Sequence, residues 1–312
     1  MAKPKTRPKA KTAKTARVKK FVPQAIGKLS EISVVDSEIE RSLKALGQQR
    51  KTVVFPLWME NGSIEHSVVD DVFDQISTTV SPTNTDLDVL IHTPGGDIHA
   101  AYNLSLLFRQ YAKKRLTFIV PRWAKSAGTL LVCSGDQIEM GPISEIGPVD
   151  PQITQLNPLE KRLERFSPLH IEATLEMIRN EFSNGNQELA NGLLQRLQFP
   201  LTLGGIHKSL KISKDYISDL LSSRMLSGST NVELCSKIAE TLVEGYADHG
   251  YCIEFNEAKR IGLNVKLINK PDFNIAWHIF RLYNKRSELI ELKKRKRLEQ
   301  LQQQLGSEGD SK

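Results

Sequence analysis

Apolar positions along this 312-residue chain follow two rhythms. Short, mostly apolar runs at Leu87–His92 and Leu116–Val120, and the short segment Gln137–Met140, sit between polar or glycine-bearing breaks and predict buried strands. Between the first two, Ile98, Ala101, Tyr102, Leu104, Ser105, Phe108 and Tyr111 fall on one stripe of a helix expected over Ile98–Lys114, and Lys113-Lys114-Arg115 places positive charge at its C-terminus. A second helix is expected over Ala127–Cys133. Strand, sharp small-residue turn and helix thus recur, which is the pattern of an α/β core.

The flanks are read in the same way. A helix starting near Asp36-Ser37 carries Ile39, Leu43 and Leu46 and is expected to end at Gly47. The run Thr52–Trp58 predicts a strand, with a helix around Val68–Thr78. Residues 159–200 are expected to be helical with a polar break at Ser183-Asn184-Gly185-Asn186, and Pro200–Gly205 to form a turn. Helices are predicted over Lys211–Ser222 and Asn231–Tyr246, then a short strand Tyr251–Phe255, a helical segment Glu257–Ile261 and a strand Leu263–Leu267. Beyond Pro271 the pattern becomes one long charged helix, either an arm between subunits or a solvated end. It carries the basic run Lys293–Arg297, and Leu298, Leu301 and Leu305 are too few repeats to claim a coiled coil.

Charge changes this picture only at the N-terminus. The formal net charge is +7, but residues 1–20 hold nine Lys/Arg and no acid, leaving 34 basic against 36 acidic residues elsewhere. Such a segment cannot bury enough apolar surface to offset its ordering entropy, so it is expected to be a disordered tail, either a solubilising leader or a polyanion-binding arm. Three widely spaced cysteines, Cys133, Cys235 and Cys252, argue against a disulfide framework or a thiolate metal site, and a reducing, cytoplasmic location is expected. No run reaches the roughly 18–20 apolar residues of a membrane helix. The expected organisation is a basic tail over 1–28, one folded domain over 29–270 and a charged helical extension over 271–312.

Candidate chemistry lies at two turns. Gly95 and Gly96 follow a buried strand, and without Cβ atoms they let a substrate carbonyl approach backbone N–H groups, as an oxyanion hole requires. A plain strand-to-helix turn would use the same residues. Thirty residues on, Ser126 follows a second strand and heads a helix whose first residues, Ala127 and Gly128, are small. That placement suits a nucleophile with an accessible helix-terminal N–H, and equally a helix N-cap.

Three blocks carry a family resemblance: Ile91-His92-Thr93-Pro94-Gly95-Gly96, Ala124-Lys125-Ser126-Ala127-Gly128-Thr129, and Gly141-Pro142-Ile143-Ser144-Glu145-Ile146-Gly147-Pro148-Val149-Asp150-Pro151-Gln152. Together they closely resemble the serine dehydrogenase proteinase family of the Clp-protease/crotonase superfamily, alongside signal peptide peptidase A. A weaker similarity runs through His249–Val265, where Glu257-Ala258-Lys259-Arg260-Ile261-Gly262-Leu263 is similar to the family's closing Ala-x-x-x-Gly-Leu pattern.

The resemblance implies a spiral of ββα units, a serine peptidase acting on peptides or unfolded protein segments, and homo-oligomers. By motif, Ser126 is the nucleophile, and the turn at Gly95 and Gly96 forms the oxyanion hole with the N–H groups of Gly96 and Ala127. The segment that supplies a histidine in Clp-type peptidases falls at Gly147–Asp150 here and holds none. The place that supplies their aspartate falls near Asp248-His249-Gly250. An exchange of positions is therefore expected, with His249 as base and Asp150 orienting its ring, since triads are defined by geometry and not by chain order.

The competing arrangement is a Ser/Lys dyad, for which a buried Lys161 or Lys208 would serve, whereas the side chain of Lys125 should point away from the serine. Neither a cofactor nor a metal is implied. Two other function classes stay open: a catalytically silent oligomeric scaffold with a polyanion-binding arm, and an acyl-CoA-processing enzyme of the crotonase type.

Overall fold

The computed structural model describes residues 30–60, 62–81, 86–157, 161–196, 203–228 and 231–309; the basic tail lies outside them. Strands β1 (Val53–Trp58), β2 (Leu87–His92), β3 (Leu116–Val120), β5 (Gln137–Met140) and β9 (Val265–Leu267) form one sheet in the order β1-β2-β3-β5-β9, every neighbouring pair parallel. Every residue of β2 and β3 is buried. Both faces are covered, so the runs read as continuous apolar stretches, yet the strand period still sorts them. Val89, Ile91, Phe118 and Val120 face the larger core, whereas Leu90 and Ile119 face a second cluster with Leu46, Ala276 and Ile279.

That second cluster lies under α1 (Glu31–Arg50) and α10 (Lys270–Gly309), which pack on each other. Helices α2 (His66–Thr79), α3 (Ile98–Tyr111), α4 (Ala127–Val132), α7 (Leu203–Ser223) and α8 (Val232–Glu244) contribute to the larger core. Helix α1 starts at its N-cap Ser30 and runs through Gly47 to a left-handed Lys51. Gly47 does not end it: a Cβ there would lie 2.9 Å from Thr52 O, so the glycine serves the close return of the chain into β1.

A second layer positions the site. β1, β2 and β3 each continue into a short segment before a helix, and these segments, with the one after β5, pair in turn: Ile64 with Gly96, Thr93 with Ala124, then β4 (Trp123–Ala124) with β6 (Glu145–Ile146), and Ile146 with Ile253. Main strand, minor strand and helix form the ββα unit expected from the resemblance. The predicted strand at Tyr251–Phe255 is reduced to the single antiparallel bridge at Ile253, followed by α9 (Phe255–Arg260).

Three other expectations are corrected. The stretch expected to be helical from 159 holds instead, near its start, β8 (Arg162–Phe166), paired antiparallel with the preceding β7 (Ile153–Asn157), before α5 (Pro168–Ser183) and α6 (Gln187–Arg196). Leu163 and Phe166 are spaced as on a helix, but pairing across the chain reversal overrides that local preference. Gly204 and Gly205 lie inside α7 and not in a turn, Pro200 being outside the described residues. Helix α10 begins at Lys270, before Pro271, because proline is tolerated in a first turn, where its missing N–H has no intrahelical partner to lose.

Candidate active site

Ser126 sits between β4 and α4 with φ 52° and ψ −119°, a backbone conformation that L-residues rarely adopt. It holds the N-cap position of α4, yet its hydroxyl makes no capping bond, so capping does not account for the side chain. The strand before it is fastened by Lys125 N–H to Thr93 O (3.0 Å) and Thr93 N–H to Trp123 O (3.2 Å). Thr129 Oγ1 donates to Ala124 O (2.8 Å) and accepts from Gly147 N–H (3.0 Å), tying the serine turn to the segment that leads to Asp150.

The two small-residue turns meet. A Cβ on Gly95 would stand 2.8 Å from Ser126 Cβ and 3.2 Å from Ala127 N, and one on Gly96 would collide with the Ile64 backbone. Gly95 and Gly96 have φ of 107° and 150°, so glycine is required twice over, for space and for conformation. Gly95 N–H donates to Thr93 Oγ1 (3.1 Å), which leaves Gly95 to supply room and not a donor. Among the described residues, neither Gly96 N–H nor Ala127 N–H donates to a protein acceptor.

Asp150 and His249, 99 positions apart, also meet: His249 Nδ1 lies 2.6 Å from Asp150 Oδ1. Gln152, which the motif contains but the sequence reading did not single out, donates from Nε2 to Asp150 Oδ2 (2.9 Å) and lies 3.2 Å from His249 Nδ1. With a buried carboxylate as acceptor, the imidazole proton belongs on Nδ1, and Nε2 is left as a base. Asp150 is 3% exposed, so its charge is shielded from water, whereas the His249 ring is about one-third exposed. Ser126, Gly95, Gly96, Asp150, Gln152 and His249 all line one cleft of about 490 Å³, together with Ser63, Ile64 and Glu65.

The lysines fall elsewhere. Lys161 and Lys208 are exposed, and neither lines the cleft. Lys125 points away from the cleft, to Ile146 O and Tyr251 O. His92 is a buried ring at the end of β2, stacked on Trp58 and tilted against Trp123.

Residues 62–174 match the family of ClpP-like SDH-type serine proteinases. The matched segment holds both small-residue turns, Ser126 and Asp150, and stops short of His249. Two uncharacterised proteins of Methanocaldococcus jannaschii, MJ1495 and MJ0137, are each 26% identical to the chain, over 186 and 203 residues. Those stretches are 60% and 65% of this chain, which spans only 54% and 59% of those relatives. Two solved structures of 1510-N, a membrane-bound stomatin-specific protease, are similar at 18% identity. One is a serine-to-alanine variant (TM-score 0.43, 71% of this chain and 82% of that one). The other is a lysine-to-alanine variant with a substrate peptide (TM-score 0.42, 71% and 78%). Among the described residues of this chain, no helix is long and apolar enough to cross a membrane.

Proposed function

We propose that the chain is a serine peptidase that hydrolyses peptides or unfolded protein segments through an acyl-enzyme at Ser126. The observation that carries this reading is the 2.6 Å pair of Asp150 and His249 in the same cleft as a serine whose hydroxyl is not used for capping. His249 Nε2 takes the proton as Ser126 Oγ attacks the scissile carbonyl, and Asp150 holds the ring and stabilises the imidazolium. The oxyanion that forms accepts from Gly96 and Ala127 N–H, neither of which donates to a protein acceptor among the described residues. His249 then passes its proton to the leaving amine, and a water activated by the same nitrogen hydrolyses the ester. Residues 29–270 constitute the peptidase domain in this reading, 271–312 an extension of it, and the protein works as a cytoplasmic homo-oligomer.

The test is hydrolysis of an unstructured fluorogenic peptide together with labelling by a fluorophosphonate, the modified residue being located by mass spectrometry. Wild type is expected to turn over and to be labelled at Ser126. Ser126→Ala should lose both, and Asp150→Asn should drop kcat on the order of 10⁴-fold with Ser126 still in place. Wild-type protein that neither cleaves nor labels sinks the peptidase reading, and an unimpaired Asp150→Asn enzyme would move the base away from His249.

A further inference from the structure

Lys125, beside the nucleophile in sequence but turned away from it, touches the segments that lead to the glycine turn, to Asp150 and from His249. Its backbone N–H bonds Thr93 O, in the strand leading to Gly95 and Gly96. Its Nζ lies 3.3 Å from Ile146 O and 3.3 Å from Tyr251 O. Ile146 stands four residues before Asp150, and Tyr251 two residues after His249. A third acceptor, Glu145 Oε2, lies 3.5 Å away, so an ammonium with three N–H donors meets three oxygens. The stem is packed as well: a Cβ on Gly147 would stand 2.8 Å from Lys125 Cδ, so the lysine stem lies close against the glycine.

We propose that Lys125 is a positioning residue, its ammonium binding the carbonyls of Ile146 and Tyr251 to hold Asp150 and His249 in register with Ser126. This deepens, and rests on, the peptidase reading. Neutralising Glu145 does not fall to the lysine alone, because Arg122 Nη1 also pairs with Glu145 at 3.3 Å. Nor does joining the acid and base loops to each other, since Ile146 and Ile253 exchange both backbone bonds, at 3.0 and 3.1 Å. The pairing of β4 with β6 and the bond from Gly147 N–H to Thr129 Oγ1 already tie the acid loop to the serine turn; the Lys125 side chain adds, among the described residues, a direct tie from that turn to the base loop at Tyr251 O. An error of about 1 Å in such a relation costs on the order of 10²-fold in rate.

Lys125→Met keeps the stem against Gly147 and removes only the donors. Its folding should survive, since Glu145 keeps Arg122 and Ile146 O keeps Ile253 N–H. The expected result is a kcat lower by about 10- to 100-fold with KM within about two-fold. The melting temperature should change little, fluorophosphonate labelling should slow in proportion, and the acid limb of the kcat/KM profile should shift. Lys125→Arg, which retains charge and donors on a longer stem, should recover part of kcat. Unchanged kcat in Lys125→Met overturns the inference, as does a loss of activity that merely tracks a fall in melting temperature. Either result, seen beside an active wild type, leaves the peptidase reading intact; an inactive and unlabelled wild type ends that reading itself.

Discussion

Ser126 occupies a backbone conformation that costs on the order of 1–3 kcal/mol, and two neighbours over-determine it. Lys125 fixes the strand before it through Thr93 O, and Gly128 N–H to Lys125 O (2.8 Å) fixes the helix after it. One residue before Thr93, His92 is 1% exposed, with its ring against Trp58, Trp123 and Phe280. Burial, helped by the charge of Arg122, pushes its pKa down from 6.5 to about 4. The folded protein therefore keeps this imidazole neutral where the unfolded chain takes up a proton. Its contribution is complete above about pH 6.5 and is lost as pH falls toward 4, amounting to roughly 3 kcal/mol at most. Urea midpoints measured across this range should fall with acidification in wild type and fall less in His92→Phe. Parallel curves would show that His92 does not drive the acid sensitivity.

Four elements converge on one side chain. Arg50, in the last turn of α1, donates from Nε to Asp88 of β2 (2.6 Å) and from Nη1 to Glu139 of β5 (2.9 Å) and Asp272 of α10 (2.7 Å). All three carboxylates are buried. Burial alone would raise the Asp272 carboxyl, but hydrogen bonds from Gln49, Arg50 and Asn269 hold it below the ordinary carboxylate range. Arg50→Met keeps much of the volume and leaves three buried acids without their cation, so a loss of about 3–5 kcal/mol is expected by chemical denaturation. A change below about 1 kcal/mol would mean the acids neutralise themselves at little cost. The network lies on the face of the sheet that α1 and α10 cover, so folding should suffer before the site does.

The two faces of the sheet divide the molecule's work. One carries the larger core and continues into the second layer where the cleft forms; the other is closed by α1 and the first turns of α10, where Ala276 and Ile279 are buried. Past Tyr283, α10 leaves the core: Leu292, Leu298 and Leu301 are 49%, 59% and 46% exposed, around the basic run Lys293–Arg297. Within one chain this stretch is exposed, as both a solvated end and an arm between subunits would be. Deleting residues 290–312 should therefore move the melting temperature by no more than about 2–4 °C. A larger drop, measured by calorimetry, would show that the arm is buried in an assembly.

Local chemistry was enough to place β2, β3 and β5 to the residue, because an apolar run flanked by Pro, Gly or charge has one reading at strand length. It was enough also to single out Gly95, Gly96 and Ser126, where small residues mark backbone that something must approach. Other features required the folded chain. Pairing turned 153–166 into two strands, Thr93 claimed the N–H of Gly95, and Lys125 became a tie between loops. The meeting of Asp150 and His249 was suggested by motif and is visible only in the fold. In each of these the partner lies beyond the reach of a helical or strand period, so the contact is set by how distant segments pack and not by the residues beside it.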